Sequence, residues 1–224
     1  FTGAAEKIGI FFGIPAFIVG VTIVSVGTSL PELASSIVAT VKGSSEIVIG
    51  NVAGSNIANI LLILGIAAVV GKQLKVSWEL VRVDLPLLMG SALLLTATTM
   101  DGSFTFYDGI LCLIGYVIYL MYTVSAQKKH GDKKSGQKLG WKPPVTLLLS
   151  GVALYFSAKY TIDSVIKLSE MLHIGKEIIA VTAVAVGTSL PELTVSVVAA
   201  MKGKSEMAIG NVLGSNIFNS LGIM

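Results

Sequence analysis

Charge is what this chain has least of. Only 13% of its 224 residues are Asp, Glu, Lys or Arg, while 53% are hydrophobic. Soluble domains carry about 25% charged residues, and mean hydropathy here is +0.82. The apolar runs are too long for one soluble core, so the chain reads as a polytopic, all-α membrane protein. Cysteine is nearly absent: Cys112 stands alone in an apolar run. This excludes a disulfide framework and reads as a buried structural thiol. Histidine is as scarce. His130 falls in a polar loop and His173 at a helix end, neither placed as a ligand. No signal-peptide pattern is visible, and the ends, Phe1 and Met224, read as cut. The net charge of +3 is small, and no nucleic-acid partner is expected.

What is present is one phrase written twice. Gly27-Thr28-Ser29-Leu30-Pro31-Glu32-Leu33 recurs as Gly187-Thr188-Ser189-Leu190-Pro191-Glu192-Leu193, 160 residues later. Each copy sits inside a long apolar run. A glutamate there, with no lysine or arginine nearby in its own segment, is costly in lipid and marks a candidate functional site. A proline inside a helix removes a backbone hydrogen bond and clashes with the preceding turn. Around the copies, the apolar segments are 14–41, 47–70, 83–100, 104–126, 145–172 and 174–201, with a further one opening at Met207. The one hydrophilic stretch, 127–142, holds six lysines and is read as a loop between two halves: a first repeat unit at 1–126 and a second at 143–224.

Set at an offset of 160, positions 27–61 and 187–221 are identical at 24 of 35 places, including Gly50-Asn51, Gly54-Ser55-Asn56 and Asn59 against Gly210-Asn211, Gly214-Ser215-Asn216 and Asn219. On this alignment Phe1 meets Thr161. About one helix is then expected before Phe1 and two after Met224, for two units of five helices and ten in all. An odd number makes the second unit enter from the opposite face, an inverted repeat with its site near the midplane. The loops 71–82, 127–142 and 202–205 carry eleven Lys and Arg, against Lys42, Asp101 and Lys176 with Glu177 on the other side. The positive-inside rule places the basic set, and the 127–142 loop, in the cytoplasm. Trp78 and Trp141 fall on that edge.

The chemistry follows from spacing. Thr28 and Glu32 are four apart on one helical face, and Ser36 extends it. Pro31 frees the carbonyl of Gly27. The second half repeats this with Thr188, Glu192, Ser196 and the carbonyl of Gly187. On the next helix Ser55 and Asn59, and Ser215 and Asn219, are again four apart. Brought together, these make an oxygen-only cluster suited to Ca²⁺, Na⁺ or Mg²⁺, not zinc or copper. Gly50, Gly54, Gly210 and Gly214 are expected to let helices approach closely. Asn51, Asn56, Asn211 and Asn216 are assigned structural roles, Asp163 and Glu170 a polar edge, Asp84 a helix start, and the tyrosines of 116–122 packing.

These two motifs resemble the α-repeats of the sodium/calcium exchanger superfamily of cation antiporters, and the resemblance spans nearly the whole chain. It implies ten helices in inverted five-helix repeats, discontinuous motif helices at the core, and alternating access. It also implies a ligand set of Thr28, Ser29, Glu32, Ser55 and Asn59 with Thr188, Ser189, Glu192, Ser215 and Asn219, plus backbone carbonyls near Ser25 and Ala185. Some members carry aspartate where this chain has Asn219. Two carboxylates neutralise one Ca²⁺ or two Na⁺, which leaves the usual three-for-one stoichiometry open. The expected function is Na⁺/Ca²⁺ antiport in the cell (inner) membrane, without a cofactor and without enzymatic activity. A Ca²⁺/H⁺ antiporter and a Ca²⁺-permeable channel are the alternatives. An intramembrane hydrolase would need a histidine or lysine base beside Ser29 or Ser189.

Overall fold

A computed structural model describes residues 1–41, 45–74, 83–127, 140–171 and 187–224. Among these residues every regular element is helical. Helix α1 is Thr2–Phe12. It stops at Gly13, whose φ of 68° and ψ of 30° is left-handed, and the N–H of Ile14 bonds back to the Gly9 carbonyl at 2.8 Å. Glycine supplies this turn without Cβ strain. Pro15 then starts α2, Ala16–Thr28.

At Ser29 the backbone leaves helical geometry, with φ −86° and ψ 8°, and α3, Leu30–Val41, leaves at 42° to α2. Pro31 is the second residue of α3. At that position its missing N–H costs nothing, because the first turn of a helix has no partner for it. Helix α4 runs as Ser45–Ala58, a π-helical turn Asn59–Ile63, and Leu64–Gly71. Helix α5 is Leu85–Thr99, α6 is Phe106–Gln127 and α7 is Lys142–Met171. Helix α8, Leu190–Met201, starts from Ser189 as α3 starts from Ser29. Helix α9 is Ser205–Phe218, followed by a π-helical turn Asn219–Ile223.

Val48–Gly71 and Phe106–Thr123 are long and apolar enough to cross a membrane, and α2 with α3 would make a third, bent span. At about 1.5 Å per residue, a span of 20 residues reaches the ~30 Å of a hydrocarbon core. Exposed Leu113, Ile114, Val117 and Ile118 on α6, and Leu148, Leu149, Val152 and Phe156 on α7, suit lipid and not water.

The core is built on α9. Met207 through Phe218 are buried without interruption. It lies backbone to backbone on α2: a Cβ on Gly210 would stand 2.3 Å from the Phe17 carbonyl, on Gly214 2.4 Å from that of Val21, and on Gly20 2.6 Å from that of Met207. The close-approach expectation therefore fits Gly210 and Gly214. At Gly50 no neighbour lies within 4 Å among the described residues. At the offset of 160, the counterpart of Phe17 would be residue 177, which is not described. Cys112 is buried, and Tyr116 packs on Phe218 at 5.4 Å between ring centroids. A Lys204–Glu6 ion pair ties α1 to the turn before α9. The expectations for Lys42, Trp78, residues 128–139 with His130, His173 and the Ala185 carbonyl lie outside the described residues, as do those for the side chains of Asp163 and Glu170.

Candidate ion site

The proline and the glutamate that look like faults in the sequence act together. Proline ends one helix and opens another, and that opening puts Glu32 and Glu192 in the first turns of α3 and α8. A helix N-terminus carries a partial positive charge and unpaired N–H groups, so it favours a carboxylate there. Both glutamates are fully buried, at 0% exposure.

Ser-x-x-Glu is also the spacing of a capping box, in which the hydroxyl would bond within its own helix. Thr105 and Asp108 make such a cap at the start of α6, with the Thr105 N–H donating to Asp108 Oδ2 at 2.8 Å. The motif serines do otherwise. Ser29 Oγ donates to Glu192 Oε1 at 2.7 Å, and Ser189 Oγ donates to Glu32 Oε1 at 3.4 Å. Each half supplies the hydroxyl for the carboxylate of the other.

The asparagines cross in the same way. Thr28 Oγ1 donates to Asn211 Oδ1 at 3.1 Å, and Thr188 Oγ1 to Asn51 Oδ1 at 3.4 Å. Asn51 Nδ2 donates to the Glu32 carbonyl and to Ser36 Oγ, both at 3.4 Å; Asn211 Nδ2 donates to the Glu192 carbonyl at 3.5 Å and to Ser196 Oγ at 2.9 Å. Asn59 Nδ2 donates to Asn216 Oδ1 at 2.8 Å, and Asn219 Nδ2 to Asn56 Oδ1 at 3.2 Å. Each of these bonds has a counterpart at the offset of 160, with the halves exchanged; Asn51 Nδ2 also donates to Ser35 Oγ at 3.0 Å, where the second half has Val195. Reciprocal contacts of this kind are the signature of a two-fold relation. Both ligand-candidate amides, Asn59 and Asn219, open a π-helical turn. Such turns are rare and recur at functional sites.

All ten residues expected from the sequence are buried, and hydrogen bonds between the halves join Ser29 to Glu192 and Ser189 to Glu32. Their leftover bonding capacity has a pattern. Among the described residues, the buried side-chain atoms without a partner are Tyr119 Oη and Thr123 Oγ1 on α6, and six more. Those six are Glu32 Oε2, Ser55 Oγ, Asn59 Oδ1, Glu192 Oε2, Ser215 Oγ and Asn219 Oδ1. All six are oxygens, three from each half, in matched pairs. A buried polar atom without a partner costs about 1–3 kcal/mol, so six together call for something that supplies positive charge. No group of three or more His, Cys, Asp or Glu is present among the described residues. The Ser25 carbonyl, which the resemblance implies as a ligand, already accepts the Ser29 N–H at 3.0 Å and Thr28 Oγ1 at 3.1 Å. Asn51 and Asn211 donate within their own half and accept a threonine hydroxyl from the other, while Asn56 and Asn216 bond across the halves.

The family model described as "Sodium/calcium exchanger protein" matches residues 1–125 and 142–224. The chain belongs to the sodium/calcium exchanger family. This exchanger is 36% identical to Inner membrane protein YrbG of Escherichia coli (strain K12), over 93% of this chain and 67% of that protein. It is 35% identical to Sodium/calcium exchanger MaX1 of Methanosarcina acetivorans, over 98% of this chain and 75% of that protein. Its fold matches the sodium-calcium exchanger NCX_Mj soaked with 2.5 mM Na⁺ and 0.1 mM Ca²⁺, with a TM-score of 0.84 and 33% identity, covering all of this chain and 74% of that one. The exchanger is accordingly an integral membrane transporter of the Ca²⁺/cation antiport class.

Proposed function

We propose that this exchanger moves Ca²⁺ against Na⁺ by alternating access, with both ions using one oxygen cluster in turn. The ligands are Glu32, Ser55, Asn59, Glu192, Ser215 and Asn219, completed by the hydroxyls of Thr28, Ser29, Thr188 and Ser189. The observation that carries the reading is the set of six buried, partnerless oxygens, three from each half. Hard cations take oxygen ligands, six to eight of them for Ca²⁺. Four of the six are neutral hydroxyl or amide oxygens. A proton needs one basic oxygen, whereas a metal ion uses a shell of neutral ones, and this supports Na⁺ over H⁺ as the counter-ion.

The two units, 1–126 and 143–224, would enter the membrane from opposite faces, with the 127–142 loop cytoplasmic. Exchange follows because the empty site holds two carboxylates that resist crossing the bilayer without a cation. The alternating step is a slide of α1 and α7 against the core of motif helices. The test is Ca²⁺ uptake by vesicles bearing the full-length protein, with and without an outward Na⁺ gradient. Uptake should need that gradient. Uptake driven by a pH gradient and indifferent to Na⁺ would replace the sodium reading by the proton one. Flux of Ca²⁺ with neither gradient would make the protein a channel.

A further inference from the structure

An asparagine can serve a cation only one way round. Its carbonyl end attracts the ion and its amide end repels it. The Oδ1 atoms of Asn59 and Asn219 are buried without a partner among the described residues, while their Nδ2 atoms are engaged, each by an asparagine of the opposite half: Asn216 Oδ1 takes Asn59 Nδ2 at 2.8 Å, and Asn56 Oδ1 takes Asn219 Nδ2 at 3.2 Å. We infer that Asn56 and Asn216 are positioning residues that hold the carbonyl oxygens of Asn219 and Asn59 toward the transported cation, each reaching across from the other half.

The two holders are themselves oriented. Asn56 Nδ2 donates to Ser220 Oγ at 2.8 Å and to the Asn216 carbonyl at 3.3 Å, so its Oδ1 is left for Asn219. Asn216 Nδ2 donates to the Asn56 carbonyl at 3.3 Å, which leaves its Oδ1 for Asn59. The holders therefore lock to one another's backbone in both directions. Side chains around a metal site that orient its ligands typically contribute 10–100-fold to affinity. If an amide of the cluster turned round, one of six ion-facing oxygens would become a donor. Ser220 has Ile60 as its counterpart, so the tie on Asn56 has no equal on Asn216. The inference rests on the reading of Asn59 and Asn219 as ion ligands, and the experiment separates the two.

Ca²⁺ binding and Ca²⁺ transport are measured on the full-length protein for Asn216→Leu, alone and combined with Asn59→Asp. Asn216→Leu alone should weaken Ca²⁺ binding about 10–100-fold and raise KM, with turnover at saturating Ca²⁺ largely kept. A carboxylate has an oxygen at either end and needs no orienting. In the Asn59→Asp background, therefore, the loss from Asn216→Leu should shrink to about threefold or less. An equal loss in both backgrounds means a merely structural role and overturns the inference. So does a loss of under about twofold from Asn216→Leu alone. Asn59→Leu is the control on the parent reading: unchanged Ca²⁺ binding there removes Asn59 from the ion site. Asn56 is more exposed than Asn216, so Asn56→Leu with and without Asn219→Asp repeats the cycle where the fold is less sensitive.

Discussion

Exchanging Glu192 for glutamine removes one of the two site charges and changes almost nothing in shape. Glu192 is fully buried; its Oε1 accepts Ser29 Oγ at 2.7 Å and its Oε2 is one of the partnerless oxygens. With Ca²⁺ bound, the variant leaves a buried dication short of one counter-charge. Removing one member of a buried ion pair costs about 3–5 kcal/mol. That is a loss of affinity of roughly 10²- to several thousand-fold. Coulomb energy scales with ion charge, so the penalty for each Na⁺ should be about half as large in kcal/mol. The variant should therefore lose Ca²⁺ far more than Na⁺. Two assays read this. Ca²⁺ uptake into vesicles should fall to background. Thermal unfolding should lose its Ca²⁺ response, which at 100 times Kd amounts to about 2.7 kcal/mol in the parent protein. Without Ca²⁺ the variant should melt no lower than the parent, since a costly buried charge has gone. Uptake within about threefold of the parent, with the Ca²⁺ response intact, would refute the placing of Glu192 in the site. Glu32→Gln should behave alike, because the two carboxylates are related by the repeat.

Three further outcomes are expected. Ser29→Ala takes away the hydroxyl that donates to Glu192 Oε1 at 2.7 Å and should weaken Ca²⁺ binding by about tenfold, on the scale of a hydrogen bond to a charged group; unchanged binding would detach Ser29 from the carboxylate. Gly214→Ala drives a Cβ to 2.4 Å from the Val21 carbonyl and should cost about 1–3 kcal/mol in thermal unfolding; a loss under about 0.5 kcal/mol, the scale of a surface substitution, would contradict the packing of α9 on α2. Glu6→Gln should cost under about 1 kcal/mol, because Lys204 and Glu6 are 21% and 32% exposed and exposed pairs contribute little; a larger, salt-insensitive loss would show that the pair matters more than its exposure implies.

Much of the site is legible in the chain itself because its signals are local. Scarce charge and long apolar runs set the membrane class. A repeated phrase in register shows two equivalent units, and the four-residue spacings of Thr28 with Glu32 and of Ser55 with Asn59 set which side chains share a face. The choice of oxygen-bearing residues restricts the cargo to hard cations. None of these needs contact between distant segments.

The partnerships are another matter. Ser-x-x-Glu reads the same whether the serine caps its own helix, as Thr105 does for α6, or reaches the other half, as Ser29 does across 163 residues. Asn56 and Asn216 look like packing residues until the opposite half is in place. The sequence by itself determined the membrane class, the duplication and the kinds of atom at the site. Only the tertiary structure decided which half completes which carboxylate and which way each amide points, because hydrogen bonds across a pseudo-two-fold depend on how two segments some 160 residues apart are brought together, and no local periodicity encodes that.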